Sequence, residues 1–234
     1  MRAKPTGDRR QKPRRDAAAS VIGFAGDAPR ECRLCPRLVG FRTVNQGAEP
    51  EWFNGAVPSF GDPNAKLVIV GLAPGLQGAN RTGRPFTGDY AGDLLYATLL
   101  KLRLARGSYD ERADDGLELI GCAITNAVRC VPPENKPTTE EIKRCNSFLA
   151  STLAGLKQTC AVLALGRIAH DAVLRAWHVK PSAFVFGHGN EHRAHDSIAL
   201  VDSYHCSRYN TNTGRLTTEM FEGVLTHAKT LAGL

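Results

Sequence analysis

Apolar and polar positions along the chain form blocks that predict strands and helices in turn. Short apolar runs bounded by turn residues predict strands at 66–71, 118–125, 160–165, 183–187 and 197–203. Longer segments with a helical spacing of apolar residues predict helices at 90–104, 139–157, 167–178 and 215–231. Because strands and helices alternate, we expect an α/β fold in which a parallel sheet has helices on both faces.

The length and charge of the chain limit its organisation. Its 234 residues suffice for one α/β domain with a sizeable core, and no apolar stretch is long enough to span a membrane. The net charge is +7, as expected of a protein that binds a polyanion. Residues 1–16 hold seven Lys or Arg against two Asp, which is +5 of that charge. We therefore predict a disordered basic tail at 1–20 and a single domain at 21–234.

The role of the basic tail is open from sequence alone. The tail adds non-specific affinity for DNA in one interpretation and is merely solvated in another. An organelle presequence is a third interpretation, which the lack of an amphipathic apolar face disfavours. Outside residues 1–16 the charge is only +2 by difference, so the domain itself is nearly neutral.

A long glycine-rich loop, residues 71–89, follows the predicted strand 66–71 and precedes a predicted helix. Open α/β sheets bind their ligands at the carboxyl ends of strands, and glycines allow the backbone to approach a ligand closely. The loop contains neither G-x-G-x-x-G nor G-x-x-x-x-G-K-[ST], so it is neither a Rossmann nor a P-loop phosphate site. It also carries Arg81, Arg84, Phe86 and Asp89, which supply charge and an aromatic face.

The seven cysteines divide into two groups by their surroundings. Cys32 and Cys35 form a C-x-x-C pair, and Cys130 and Cys145 follow with fourteen residues between them. Four such thiolates suit either zinc or an iron–sulfur cluster. Cys122 and Cys160 lie in apolar runs, so we expect them to be buried and to act as small hydrophobic residues. The odd number and the lack of a visible secretory signal argue against disulfides and favour a reducing cytosol.

A second polar loop, residues 205–216, follows the predicted strand 197–203. It begins with His205 and also contains Ser207, Arg208, Tyr209 and Arg215. Polar side chains concentrated after a strand end raise the expectation of a functional site.

These three features together resemble the iron–sulfur branch of the uracil-DNA glycosylases, and specifically its type 5 group. The first motif of that family reads G-L-A-P-x-x-x-G-A-N-R-T-G-R-x-F-T-G-D, which residues 71–89 match throughout. Its second reads H-P-S-x-x-N-x-x-T-G-R-L, and residues 205–216 match it except that Cys206 replaces Pro. The four cysteines have the family's spacing, and residues 52–63 form a further family-like segment. The resemblance covers about residues 31–230.

The resemblance implies a fold, a cofactor and an activity. The fold is a three-layer α/β/α sandwich with a central four-stranded parallel sheet. Cys32, Cys35, Cys130 and Cys145 would hold a structural [4Fe–4S] cluster. The activity is excision of uracil, and of other deaminated bases such as hypoxanthine, by hydrolysis of the N-glycosidic bond to leave an abasic site in DNA. We expect a monomer that acts on double-stranded DNA in the cytosol of a bacterium or archaeon.

The resemblance also implies roles for individual residues in the pocket. The base would stack on Phe86, with Gly71, Ala73 and Gly75 in the loop beneath it. Asn126, after the predicted strand 118–125, would read O4 and N3–H of uracil, because a side-chain amide offers a donor and an acceptor together. His205 would donate a hydrogen bond to O2, where negative charge develops as the bond breaks.

The attacking water is the least determined part of the predicted site. Many uracil-DNA glycosylases carry a polar side chain where this chain has Ala73 or Leu72. Asp89 is the remaining carboxylate of the loop, and we expect it to hold the water, as in the type 5 group. An N-cap of the following helix is an equal alternative, and both roles are compatible.

Several residues near the two loops are predicted to contact DNA. Tyr209 would wedge into the space left by the flipped base. Phosphate contacts are expected from Ser59, Arg81, Arg84, Ser207, Arg208 and Arg215. For Arg81 and Arg84, bracing of the loop is the alternative.

Two other functions stay open from sequence. A DNA-binding or damage-sensing module with a structural cluster would bind DNA without releasing a base. A hydrolase of free nucleotides would need carboxylates for Mg²⁺, of which the two loops hold few.

Overall fold

The computed structural model describes residues 24–234. The helices are α1 (Pro36–Ala48), α2 (Ala79–Thr82), α3 (Tyr90–Lys101), α4 (Thr139–Gly155), α5 (Arg167–Ala176), α6 (Arg208–Asn212) and α7 (Thr218–Leu231). The strands are β1 (Phe60–Gly61), β2 (Leu67–Gly71), β3 (Ala105–Arg106), β4 (Glu118–Leu119), β5 (Cys122–Asn126), β6 (Ala161–Leu165), β7 (Glu191–His195) and β8 (Ile198–Ser203). The predicted tail, 1–20, lies outside the described residues. None of the helices within 24–234 has the length and apolarity needed to cross a membrane.

The main sheet has six strands in the order β1-β5-β2-β6-β8-β7. Its four inner strands are parallel, as predicted, and the two edge strands β1 and β7 are antiparallel additions. The inner strands β2 and β6 are apolar throughout, and β5 and β8 are apolar up to their last two residues, because both faces of a parallel sheet are covered. The predicted four-stranded parallel core is therefore confirmed, within a sheet of six strands.

Helices cover both faces of the sheet and complete three layers. Side chains alternate along β2, so Leu67 and Ile69 enter one core and Val68 and Val70 enter the other. Helices α3 and α7 complete the first core, and α1, α4 and α5 complete the second. The α/β/α sandwich expected from the sequence is confirmed.

Three predicted elements need correction. The predicted strand 183–187 is wrong, because Pro181–Ala183 forms a 3-10 turn and the edge strand is Glu191–His195. The aromatic side chains in that run pack on His170 and His192. The predicted strand 118–125 is two strands in different sheets, since Gly121 turns the chain with φ 64°. The helix predicted at 215–231 begins at Thr218, where the Thr217 side chain caps it.

The predicted helix start near residue 139 is confirmed in detail. Thr138 is the N-cap of α4, and it forms a reciprocal capping box with Glu141. Such a box satisfies two of the backbone N–H groups that the first turn of a helix leaves without partners. The same helix carries Cys145 on its buried face.

The fold brings the two predicted loops to one edge of the sheet. Gly71 at the end of β2 pairs in register with Asn126 at the end of β5. Ser203 ends β8, two residues before His205, and its register partner is Leu165 on β6. The glycine-rich loop and the second polar loop therefore leave the carboxyl ends of β2 and β8, two parallel strands separated by β6, where α/β sheets bind ligands.

Candidate active site

A cavity of about 730 Å³ opens where the two loops meet. Its wall includes Ala73, Gly75, Phe86, Asp89, His205 and Ser207. The structure thus brings most of the predicted pocket residues together, although they lie in segments far apart in the sequence.

Gly71 leaves the space in which Phe86 and Asn126 approach each other. A Cβ atom on Gly71 would lie 2.4 Å from Asn126 Oδ1 and 2.5 Å from Phe86 Cζ, so no side chain fits there. Phe86 has φ 54°, a left-handed conformation that is costly for a bulky residue. Asn126 Oδ1 is buried and has no hydrogen-bond partner within the described part of the chain. An unpaired buried acceptor is costly, and a ligand N–H would satisfy it.

His205 stacks on Phe86 at the cavity wall. Their ring centroids are 5.8 Å apart and the planes are inclined by 27°. Asn210 Nδ2 donates to the His205 carbonyl at 2.8 Å, which fixes the backbone that carries the imidazole. Burial lowers the pKa of His205 to about 4, so the ring is neutral at physiological pH.

The two carboxylate oxygens of Asp89 have different surroundings, one at the first turn of α3 and the other beside glycines of the cavity wall. Oδ1 accepts from the Gly92 backbone N–H at 3.0 Å and caps α3. Oδ2 lies over the turn at Gly75 and Gly78, where Cβ atoms would come within 2.9 and 2.5 Å of it. Burial raises the pKa of Asp89, and backbone hydrogen bonds only partly offset that effect. The two predicted roles of this carboxylate are therefore compatible.

Two of the residues predicted to contact phosphates, Arg84 and Ser59, are buried in the structure. Arg84 is 3 % exposed and donates to both carboxylate oxygens of Asp115, at 2.8 and 2.6 Å. Ser59 is 1 % exposed and bonds Asp27 and Thr125. Both side chains form their hydrogen bonds inside the protein, so neither reaches a DNA backbone in this structure. Arg84 stabilises the glycine-rich loop, which was the alternative role predicted for this residue.

The other predicted DNA contacts lie at or near the surface around the cavity. Ser207 caps the short helix α6, and Arg208 lies over the Tyr90 ring at the cavity wall. Tyr209 is 73 % exposed, which is unusual for a large aromatic side chain. An exposed Arg215 stacks on Tyr204 at 4.5 Å. These positions are compatible with contacts to a nucleic acid.

Arg81 takes part in the architecture of the glycine-rich loop. Its Nε donates to the Gln77 carbonyl at 2.8 Å. A Cβ atom on Gly88 would lie 2.4 Å from Arg81 Nη2, so a side chain at that position would collide with the guanidinium. The side chain is only partly buried, so bracing of the loop and a phosphate contact are both compatible with it.

Cys206 replaces the proline of the second motif and is fully buried. Its Sγ donates to the Ala91 carbonyl of α3 at 3.4 Å. The thiol thus links the loop that carries His205 to the helix that Asp89 caps. Proline would restrict the same backbone through its ring instead.

The four paired cysteines surround a second, small and apolar cavity. Cys32, Cys35, Cys130 and Cys145 line it together with Leu38 and Phe148, among others. All seven cysteines of the chain are free, so disulfides are excluded. Burial, together with smaller contributions from the neighbouring thiols, raises the pKa of Cys130 to about 12 and that of Cys145 to about 11. A bound cation would reverse this effect, because metals bind thiolates.

The spread of the four sulfurs limits which metal they suit. In residues 24–234, no three of these sulfurs lie within 4.8 Å of one another. A single tetrahedral zinc with bonds of about 2.3 Å would place its sulfur ligands roughly 3.8 Å apart. The wider arrangement suits a larger cluster.

One group of potential metal ligands combines side chains from three separate segments of the chain. His170, His192 and Asp202 lie together below the β7 edge of the sheet. Asp202 accepts hydrogen bonds from His170 Nδ1 at 2.7 Å and His192 Nε2 at 3.0 Å. His170 Nε2 also donates to the Phe184 carbonyl at 3.1 Å, so this imidazole carries two protons. Hydrogen bonding fully accounts for the group.

The sequence analysis missed Asn135 and Tyr90 at the cavity wall. Asn135 follows Glu134, and both have left-handed backbones with φ near 57° and 55°. Consecutive left-handed residues are rare outside glycine, and strain of this kind is frequent at functional sites. The prolines around this turn were the only sequence signal for it.

Comparisons with known proteins agree with this geometry. Residues 58–229 match the family model of the Uracil DNA glycosylase superfamily. The chain is 47% identical over 209 residues to a type-5 uracil-DNA glycosylase of Thermus thermophilus, covering 87% of this chain and 94% of that protein. It is 41% identical over 206 residues to a type-5 uracil-DNA glycosylase of Pyrobaculum aerophilum, covering 86% and 89%. A type-4 uracil-DNA glycosylase of the same archaeon is 36% identical over 120 residues, covering 51% of this chain and 53% of that protein.

The family match covers most of the chain, and the type-5 relatives cover nearly all of the described residues. The chain therefore belongs to the uracil-DNA glycosylase superfamily and, within it, to the type 5 branch. The resemblance seen in the two motifs is confirmed.

Proposed function

We propose that this chain is a DNA-repair glycosylase that flips uracil out of DNA and hydrolyses its N-glycosidic bond, leaving an abasic site. The observation that carries the proposal is the convergence of Phe86, Asp89 and His205 on one cavity beside the unpaired Asn126 Oδ1. A base must leave the stack to reach such a cavity. Membership of the uracil-DNA glycosylase superfamily supports the same activity.

In this proposal the pocket first recognises the base and then stabilises its departure. Phe86 stacks on the ring, and Asn126 pairs with the N3–H and O4 edge. As the bond to C1′ breaks, the pyrimidine takes the bonding electrons and negative charge builds on O2. The neutral His205 donates a hydrogen bond there, and in a dry cavity such a donor contributes strongly.

Asp89 orients the water that completes the hydrolysis. Its Oδ1 is held by the helix, so Oδ2 faces the cavity in a fixed position. The water adds its oxygen to C1′, and its proton passes to the carboxylate or to solvent. A carboxylate near the positive sugar also lowers the energy of that charge.

We further propose that the four paired cysteines hold a [4Fe–4S] cluster with a structural role. The wide spread of their sulfurs supports this over a single zinc. The cluster would supply a rigid link between the start of α1, the loop after β5 and helix α4. The purified protein would then be brown, with about four irons per chain.

An oligonucleotide with one uracil tests the activity directly. Treatment with the protein and then alkali should cut the strand at the uracil, because alkali breaks an abasic site. A non-catalytic DNA-binding module would shift the oligonucleotide in a gel and leave it uncut. A hydrolase of free nucleotides would release product from deoxyuridine nucleotides instead, and among residues 24–234 no three carboxylates cluster to hold its Mg²⁺.

Substrate breadth, strand preference and assembly are further parts of the proposal. The cavity volume of about 730 Å³ leaves room for a purine, which supports excision of hypoxanthine as well. The same assay with hypoxanthine, in single- and double-stranded DNA, measures both preferences. We expect a monomer in the cytosol.

A further inference from the structure

A buried arginine lies between the two halves of the cysteine site. Arg42 is on α1, one turn after Leu38 and on the same inward face. It is 5 % exposed, although arginine is among the residues that are almost never fully buried without a partner. Its position needs a physical reason.

The guanidinium of Arg42 contacts one cysteine from each pair. Nη1 donates to the Sγ of Cys130 at 3.4 Å, and Nη2 donates to the backbone carbonyl of Cys32 at 3.1 Å. The planar fork of arginine therefore connects the C-x-x-C segment to the loop after β5. A second hydrogen bond to one of the four cysteine sulfurs has an uncharged donor, the Arg129 backbone N–H, which donates to Cys145 Sγ at 3.3 Å.

The positive charge of Arg42 lacks a buried carboxylate among the described residues. Its nearest carboxylate is Glu31 at 3.9 Å, whose side chain is 70% exposed. By contrast, the buried Arg129 has the buried Asp27 at 2.7 Å. A buried cation without an anion is strongly unfavourable. The anion that would balance Arg42 is a cluster with thiolate ligands, which carries a net negative charge.

We infer that Arg42 is the charge-balancing residue of the iron–sulfur site, where it hydrogen-bonds a ligand sulfur and retains the cluster. This inference rests on the cofactor proposed above. Hydrogen bonds to the sulfurs and the net charge nearby set the potential and stability of such clusters. Without the Arg42 cation the cluster accepts an electron less readily, so its reduction potential becomes more negative.

Two variants separate the charge of Arg42 from its shape. Arg42→Gln removes the charge and the fork, while Arg42→Lys keeps the charge and loses the paired hydrogen bonds. We expect Arg42→Gln to lose the cluster absorbance in air roughly 10-fold faster and to have a more negative potential. Arg42→Lys should keep a potential near that of the parent but lose the cluster faster than it does.

Arg144→Gln is the matched control. Arg144 precedes Cys145 and is nearly half exposed, and it bonds Glu140 and the Leu34 carbonyl rather than a cysteine. The control should match the parent in iron content and decay rate, and its potential should shift less than that of Arg42→Gln, because solvent screens the half-exposed charge of Arg144. Iron per chain, spectroelectrochemistry and circular dichroism of each purified holoprotein provide the measurements, none of which depends on glycosylase activity.

The outcomes are distinguishable. A parent that contains zinc or no metal would overturn the proposed cofactor and this inference together. An iron-loaded parent whose Arg42→Gln variant has the same potential and decay rate would overturn the inference alone. If Arg42→Gln does not fold, the decay rate of Arg42→Lys decides, and equality with the parent counts against the inference.

Discussion

At the scale of single residues, Asp89 is the side chain whose two functions are hardest to separate. One oxygen caps α3 and the other faces the cavity. Asparagine caps a helix about as well as aspartate, so Asp89→Asn preserves the cap and removes the charge. We expect a strong loss of single-turnover rate with a nearly unchanged melting temperature. A near-normal rate in the folded variant would leave His205 as the main catalytic group.

The pH dependence of the rate offers an independent test of Asp89. Burial raises the pKa of Asp89 and lowers that of His205 to about 4. Asp89 must be ionised to act in this proposal, so the rate should fall on acidification at a pKa above the ordinary value for aspartate. The acid limb should vanish in Asp89→Asn and persist in His205→Ala, and single-turnover rates across pH measure both.

The recognition and leaving-group residues should act in the chemical step. Asn126→Ala and His205→Ala should each slow uracil release by about 10²-fold or more, as loss of a preorganised donor does. Binding of uracil-containing DNA should survive in both variants, which a gel-shift titration checks. Full rates in both would place the active site elsewhere.

The shared location of Asp89, Phe86 and His205 was predictable from the sequence, whereas the burial of side chains with remote partners was not. Asp89, Phe86 and His205 follow strand ends, and the ends of parallel strands meet at one edge. Arg84 and Ser59 looked like surface contacts because their buried partners, Asp115 and Asp27, lie about thirty residues away in the chain. Pairing over such distances leaves no local pattern.

At the scale of elements, the ion pair of Arg84 and Asp115 anchors the glycine-rich loop. Both side chains are at most 3% exposed. Burial would raise the pKa of Asp115, but the bonds from Arg84 and backbone N–H groups lower it to about 2. Because the folded pKa is lowered, the stability from Asp115 is present above roughly pH 4 and is lost as the pH falls toward 2.

Breaking this pair should cost stability rather than DNA contacts. Arg84→Gln leaves a buried carboxylate unpaired, so the free energy of unfolding should fall by about 3–5 kcal/mol. Urea denaturation measures this, and Arg81→Gln in the same loop is the control, with an expected loss of about 1 kcal/mol or less. The salt dependence of DNA binding should not change in Arg84→Gln. A flatter salt slope would restore Arg84 to the DNA interface.

The inner strands and the helices α3, α4, α5 and α7 were predictable, whereas the sheet edges and helix α1 were not. Inner strands such as Ala161–Leu165 are continuous apolar runs because both of their faces are buried. The edge strand Glu191–His195 is polar, so no apolar run in the sequence predicted it. Helix α1 was missed because its sequence holds two glycines and its inward face includes a polar residue, Arg42.

At the scale of the whole molecule, positive charge is concentrated outside the described residues. Residues 1–16 contribute +5 of the net +7. Deleting them should leave the single-turnover rate at saturating enzyme unchanged, weaken DNA binding and flatten its salt slope. A full-length variant in which those Lys and Arg residues are changed to Gln should show the same changes in DNA binding as the deletion. An unchanged slope would show that the tail does not touch DNA.

The cysteine site also determines how the molecule opens locally. It ties α1 to the loop after β5 and to α4, but the buried pair of Arg129 and Asp27 holds the preceding segment without metal. Chelation should therefore speed amide hydrogen exchange in α1 while β2 and β6 stay protected. On that basis a protein that holds the proposed cluster would lose and regain it through local opening, with the sheet and its cavity intact.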